Sequence, residues 1–425
     1  FRLQKTELVP LSVPLGSESV AKATENVTFE GTLTPEGDLA TVSQVIQSAR
    51  LGDSKVPQPE APGVGIAAAP LSDAAAVVMN NGGVGTLSAG TYQYRFALVD
   101  AAGAEATPSV SISSTVGAGG RIDLSNLPSE ASGSYPTVNI YRTAPDGSDF
   151  FLLGSAAVGG TFNDDGSTPL SGTPLDDTTL TGNYSYMVTY HRSGEVESRP
   201  SELIGPQNVV NGRISLTNLP VPPVPGPESG FPAYDEIRIY RNLAGDQNNY
   251  YLVDTVAPGS DYTDSRSDEE IADLTVAGNQ LVDLDGPTIT SNTLLTDVLK
   301  RDGLTYQSAF EIGTLSYSGR KGGRALGTKQ LEIAQTTTVQ DFVDFLESAS
   351  GLQSLLVDSQ NPILASENNI PGESGELVPG GYIQDGTIRF VSNTGELNAL
   401  EIDLSAFRVE NAVGDVTTPN LAFGT

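Results

Sequence analysis

The chain repeats one ordered set of phrases, and this limits its fold more than any other feature. The first copy reads GTYQYRFALVDAAGAEATPS from Gly90, RIDLSNLP from Arg121, NIYR from Asn139 and TFNDD from Thr161. The second reads GNYSYMVTYHRSGEVESRPS from Gly182, RISLTNLP from Arg213, RIYR from Arg238 and DYTDS from Asp261. Matching pieces are offset by about 92 residues early and about 100 late, because the second copy gains the proline-rich VPPVPGPESGFP beyond Leu219. The middle of the protein is a tandem duplication.

Each copy reads as all-β. Tyr92, Tyr94, Phe96 and Leu98 alternate with Gln93, Arg95 and Ala97, the period of a strand with one face in a core, and Tyr184, Tyr186, Val188 and Tyr190 repeat it. Short apolar runs around Val110 and Ile112, Ile122 and Leu124, Ile140 and Tyr141, and Phe151 to Leu153 come next, separated by Gly, Pro, Asn and Asp. The order GTYxY, LxNLP, IYR, F/YxD resembles fibronectin type III-like or immunoglobulin-like modules of surface and phage structural proteins. That resemblance implies about seven antiparallel strands in two sheets per copy.

The chain's 425 residues exceed one ordinary core. Gly and Pro number 46 and 27 while only 17% of residues are charged, a composition of turns and short strands. The net charge of −30 is spread along the chain and repels phosphate backbones and anionic lipid, so neither nucleic acid nor membrane is an expected partner. With no cysteine, disulfides, thiolate metal sites and cysteine nucleophiles are excluded together. No signal peptide and no apolar run of membrane-spanning length is read, and Phe at position 1 leads to the expectation of a trimmed piece of a longer protein.

Outside the duplication, LVPLSVPLG from Leu8 is extended because Pro10 and Pro14 forbid a helix, and Val27, Phe29 and Leu33 alternate as a strand. A short helix is expected from Val42 to a capping Gly52, then a Pro/Gly/Ala linker from Asp53 to Pro70 whose end could be the first sandwich's leading strand. After the pair come two strands, FEIGTLSYSG and KQLEIAQ, joined through RKGGRALGT. A helix is expected after them: Thr338 as N-cap, Asp341 as capping-box acid, the stripe Val339, Phe342, Val343, Leu346, Ala349, and a terminal Gly351. Asp385 and Gly386 form a hairpin turn beside Ile388 and Phe390, and Leu400, Ile402 and Leu404 continue the alternation.

The flanks resemble one family. Ser12, Val13 and Pro14, then Ala21 to Thr24, then Gly31, Thr32 and Leu33 are similar to a segment of bacterial flagellar hook proteins. TTTVQDFVDFLESASGLQ and DGTIRFVSNTGELNALEIDLS resemble the helix and succeeding strands of the longer members. The resemblance implies the middle and outer domains of a hook subunit, a structural part of a flexible tubular universal joint between rotary motor and filament. It also implies export by the type III apparatus without a cleaved signal, an extracellular place in the flagellum, self-association in the full-length protein, and hook-cap and hook–filament junction proteins as partners. The helical terminal segments that drive assembly in that family have no heptad counterpart here, so the isolated chain is expected to be a monomer.

Chemistry is weighed on few residues. His191 is the only base on which a Ser-His-Asp triad could be built, and it reads as a solvated hairpin residue. The pairs Asp164 with Asp165, Asp176 with Asp177, Glu269 with Glu270 and Asp283 with Asp285 could suggest a glycosidase or a calcium site, but there is no Trp platform and no DxDxDG spacing. GRKGGRALG from Gly319 reads as a basic-tipped hairpin, and Arg320, Lys321 and Arg324 could meet an acidic face of a neighbouring subunit. Arg142 and Arg241 are expected to snorkel over their strands, with Tyr141 and Tyr240 in the core.

The expectation is therefore a mainly β, multidomain protein: residues 1–65 and 281–425 as two halves of a discontinuous β-rich hook-type domain with a small α+β part (helix near 338–350), interrupted by β-sandwiches at 66–172 and 173–280. No enzyme is expected, and no catalytic, cofactor-binding or metal residue is assigned. A phage tail or surface adhesin binding module is the alternative, marked by a pocket shared by both copies. A carboxylate hydrolase would instead show a cleft with two convergent acids.

Overall fold

The structure, a computed structural model, describes residues 44–227, 229–352, 379–393, 395–402, 406–411, 413–419, 421 and 423–424. The readings placed on residues 1–43, including Ser12 to Pro14, Ala21 to Thr24 and Val27 to Leu33, and that on Leu404, lie outside them. The fold is mainly β and multidomain. It divides into Phe1–Lys55 with Asp285–Thr425 as unit 1, and Val56–Leu284 as unit 2.

The helix expected between Val42 and Gly52 is instead two strands, β1 (Val45–Ser48) and β2 (Leu51–Asp53). Tertiary pairing overrides the local pattern. Val45 to Gln47 pair with Val391 to Arg389, and Leu51 to Asp53 with Lys300 to Val298, which sends Ile46 and Leu51 into the core of unit 1.

Unit 2 begins with β3 (Gly65–Ala68) and β4 (Val78–Leu87). The first copy continues with β5 (Gly90–Val99), β6 (Ile112–Val116), β7 (Gly120–Ser125), β8 (Thr137–Arg142), β9 (Phe151–Ala157) and β10 (Thr161–Asp164). The second has β11 (Leu180–His191), β12 (Ile204–Gly212), β13 (Ile214–Thr217), β14 (Glu236–Leu243), β15 (Asp246–Val256), β16 (Tyr262–Asp264) and helix α1 (Asp268–Ala272). Sheets β6-β5-β8-β9 and β10-β7-β4 make sandwich 1, while β12-β11-β14-β15 and β16-β13-β3 make sandwich 2.

The boundary expected at Ile66 shifts, because β3 pairs with β13 of the second copy, and Val56, Ala61, Val64 and Ile66 pack in its core. In each LxNLP phrase the Asn turns the chain at positive φ, 55° at Asn126 and 56° at Asn218, and drops the next Leu into the core. Both copies protect an edge in the same way: around the bridge at Pro174, Thr173 O accepts from Leu152 N and Leu175 N donates to Phe150 O, and around that at Leu281, Gln280 O accepts from Leu252 N and Val282 N donates to Tyr250 O.

Unit 1 resumes with β17 (Val298–Asp302), β18 (Thr305–Ser308), β19 (Gly313–Tyr317), β20 (Arg320–Lys321), β21 (Arg324–Ala325) and β22 (Lys329–Ile333). Helix α2 (Val339–Ser350) comes next, then β23 (Gly380–Gln384), β24 (Thr387–Val391), β25 (Leu400–Glu401), β26 (Phe407–Glu410), β27 (Val416–Thr417) and β28 (Phe423–Gly424). Thr338 and Asp341 close the capping box, Gly351 ends the helix at φ 63°, and the stripe Val339, Phe342, Val343, Leu346 and Ala349 is buried. Phe342 meets Phe310 at 5.0 Å and joins Phe390, Phe407, Ile46 and Leu51 in one core.

Candidate functional site

The phrases that the two copies share converge on one place in each sandwich. Tyr94 lies directly across from Arg142 in the larger sheet, as Tyr186 does from Arg241. Asp164 and Asp264 arrive on the facing sheet, opposite Ile122 and Ile214. In sandwich 1, Arg142 Nη1 donates to both oxygens of Asp164 at 2.6 Å, and Tyr94 Oη donates to Oδ2 at 2.6 Å. In sandwich 2, Arg241 Nη1 donates to Asp264, Tyr186 Oη donates to Oδ2 at 2.7 Å, and Arg241 Nη2 reaches Asp268 at 2.7 Å. The first tyrosine of each YxY lies under the guanidinium, Tyr92 at 5.2 Å and Tyr184 at 4.8 Å from its carbon.

The expectation that Arg142 and Arg241 snorkel is thus overturned. They are 7% and 0% exposed and carry charge into the core, because the F/YxD strand delivers a carboxylate there. Each pair crosses from one sheet to the other, where some immunoglobulin domains place a disulfide. Tyr141 and Tyr240 are buried as expected, and their hydroxyls tie the equivalent Glu105 and Glu197 to the sheet at 2.8 and 2.7 Å. Burial, aided by the neighbouring carboxylates, pushes the phenols of Tyr94, Tyr141, Tyr186 and Tyr240 well above their ordinary range.

No family model, no curated protein and no solved structure matches the chain. Function therefore rests on what its own side chains do.

Six of the eight candidate acids, Asp164 and Asp176 among them, are engaged in structural bonds. Asp165 accepts from Ser167 N at 2.9 Å, Asp177 from Arg95 at 2.9 Å, and Glu270 closes the capping box of α1. Asp285 pairs with Arg301 at 2.6 Å. Among the described residues no group of three or more His, Cys, Asp or Glu is placed to hold a metal ion. His191 corrects its reading as a solvated hairpin residue: its side chain is 13% exposed at the end of β11, with Nδ1 3.3 Å from Glu236.

The basic hairpin forms, but two of its three cations are engaged within the chain. Arg320 pairs with Glu401 at 2.8 Å, and Lys321 Nζ donates to Gly351 O at 2.7 Å at the C-terminus of α2. Arg324 is exposed on β21.

A cleft of about 330 Å³ is lined by Ser148, Asp149, Phe150, Phe151, Pro174, Leu175 and Asp177. Of its two acids, Asp177 pairs with Arg95, whose guanidinium also lies 5.6 Å from the Phe150 ring. Two carboxyls stand above the usual range elsewhere: Asp297, through burial and the charge of Asp53, and Glu347, through burial. Asp53 accepts from Thr293 Oγ1 and Lys55 N, and Glu347 accepts from Gly381 N, which are bonds that shape turns and strand ends.

The residue that sequence reading missed altogether is Arg213. Its counterpart Arg121 is 36% exposed and pairs with Asp123 on its own strand, whereas Arg213 is 3% exposed where the two sandwiches meet. It donates to Asp176 Oδ2 at 2.8 Å, Glu105 O at 3.1 Å and Thr178 O at 3.4 Å. Its own backbone N–H donates to Thr107 Oγ1 at 3.0 Å, and Tyr135 and Ser215 meet through their hydroxyls at 3.3 Å. Nothing in the phrase RIxLxNLP separates the two arginines; what differs is the neighbour each one meets.

The buried phenols set an alkaline limit. A tyrosine raised above its unfolded value of about 10 stabilises the fold fully below that pH and loses its contribution as pH rises beyond it. Phenolate absorbance is expected to stay low up to that range and then appear together with loss of the β circular-dichroism signal. Smooth titration of all tyrosines with the β signal intact would contradict the burial described.

Proposed function

We propose that the chain is the outward part of a bacterial flagellar hook subunit, a structural element with no reaction to perform. The observation that supports this most is the discontinuous unit 1. Strands before the inserted unit pair with strands after it, β1 with β24 and β28, and β2 with β17. Such an arrangement suits a scaffold domain that carries inserted modules while other segments of the subunit hold the polymer. The cross-sheet ion pairs and the engaged acids fit stiffness rather than catalysis. Lateral contacts in such a tube would be small and polar, able to slide as it bends.

The alternative of a receptor-binding tail or surface module is less well supported. The cleft at Phe150 is lined by Asp149, Pro174 and Asp177, where the second copy has Asn249, Leu281 and Leu284, so its chemistry is not repeated by the duplication. Antibodies raised against residues 56–284 should label source cells, under the electron microscope, at the short segment between envelope and flagellar filament. Label confined to virions or spread over the cell wall would overturn the hook reading in favour of a binding module. Purified chain should sediment as a monomer at micromolar concentration, and a stable oligomer would move assembly contacts into this part of the subunit.

A further inference from the structure

The registers of the two sandwiches can be superposed through their duplicated strands. In sandwich 1, β4 places Val78, Met79 and Asn80 opposite Ser125, Leu124 and Asp123 of β7. In sandwich 2, β3 places Gly65, Ile66 and Ala67 opposite Thr217, Leu216 and Ser215 of β13, which are the same positions of the duplicated phrase. The short β3 therefore occupies in sandwich 2 the place that the first half of β4 occupies in sandwich 1.

Past these matched positions the copies diverge. In sandwich 1 the strand bulges at Asn81 and Gly82, slipping register between Asn80 and Gly83, and then continues along β7 opposite Arg121 and Gly120. In sandwich 2 the chain reaches Ala69, whose N–H donates to Arg213 O at 2.9 Å, and leaves. It builds all of sandwich 1 and returns at Asp176 to Thr178, against the same arginine's side chain. Gly83 has the corresponding place beside Arg121, where an added Cβ would lie 2.5 Å from Nε.

We infer that sandwich 1 is nested inside the first strand of sandwich 2, not joined after it, and that the Asn81–Gly83 bulge of sandwich 1 is the equivalent acceptor site, able to take a further module in the same way. Chain departure and return are both anchored on one arginine in sandwich 2, so the interruption leaves its hydrogen-bonded edge nearly whole. The bulge has the same opening: Gly82 has no atom within 4 Å of where a Cβ would be, and Asn81 is exposed with its amide on Thr115 O at 2.7 Å. Domain insertion generally succeeds at exposed loop tips and fails within strands, so acceptance inside an edge strand is a specific expectation.

Two changes in the full chain test this. Deleting residues 71–175 and joining Pro70 to Asp176 should leave the β11, β13 and β14 amides protected from hydrogen exchange. Deleting 56–172, as a linear arrangement would permit, should abolish that protection, because β3 goes with it. Inserting a compact domain with adjacent termini, flanked by Gly/Ser spacers, between Asn81 and Gly82 should leave β5 and β8 protected with an unchanged denaturant midpoint. Loss of sandwich 2 protection in the 71–175 deletion, or loss of β5 and β8 protection on insertion at Asn81 while insertion between Gly159 and Gly160 is tolerated, would overturn the inference. Neither readout depends on which assembly the protein serves.

Discussion

Asp164→Ala is expected to destabilise sandwich 1 by about 3–5 kcal/mol, the cost of leaving one partner of a buried ion pair without the other. Arg142 is 7% exposed, and its guanidinium donates twice to this carboxylate and lies over Tyr92. Without Asp164 the charge stays in the core and the Tyr94 hydroxyl loses its acceptor as well. The same change at Asp264 should fall nearer the lower end, since Arg241 keeps Asp268 at 2.7 Å and the Arg266 carbonyl at 2.9 Å. Removing the whole knot in sandwich 1 by Arg142→Met, Asp164→Leu and Tyr94→Phe together should recover much of the loss, because no charge or hydroxyl is then left uncompensated. Urea unfolding, monitored by hydrogen exchange in β5 and β8, reads the effect. If Asp164→Ala leaves the midpoint in place, the pair is not holding the two sheets together.

How much of this was legible in the sequence depends on how local each signal is. Helix α2 was readable to the residue because its cap, stripe and terminating glycine are all contained between Thr338 and Gly351. The Asp385–Gly386 turn was equally local, both residues having positive φ. The two β-rich copies were readable because alternation at Tyr92 to Leu98 needs no knowledge of partners. The strands at Val45 and Leu51 were not, since their partners lie on the far side of the inserted unit and a short apolar run carries no sign of a remote edge. The ion pairs could have been found: the same Tyr, Arg and Asp recur in order in both copies, and a charged residue repeated beside core residues is a sign that it meets another repeated charge. Nothing comparable marked β3 as belonging to the second copy, because GIAA has no counterpart in the duplicated phrases and its place is set only by pairing.

Arg213→Ala should uncouple the two sandwiches, lowering the free energy of their contact by about 3 kcal/mol, the scale of a hydrogen bond made by a buried charged group. Four acceptors would be deserted at once: the Glu105, Thr178 and Asp176 carbonyls and the Asp176 carboxylate. Arg121→Ala, at the matching position of the first copy, should leave stability essentially unchanged, because its pair with Asp123 is exposed to water. Arg213→Lys should not rescue the contact, since one ammonium cannot span acceptors that a planar fork reaches in different directions. The acid limb offers a second readout. Burial of Asp176 resists its charge, but the Thr178 N–H and the Arg213 guanidinium outweigh it and hold the carboxyl below the usual range. Its contribution is therefore present above an unfolded value of about 3.9 and lost as pH falls through the lower folded value. Arg213→Ala should weaken that acid dependence, because the charged member of the groups opposing burial is gone while Thr178 and Ser265 stay. Calorimetry should show two separated transitions for unit 2 in Arg213→Ala and closely spaced ones in Arg121→Ala; equal behaviour of the two variants would mean that the buried arginine does not join the modules.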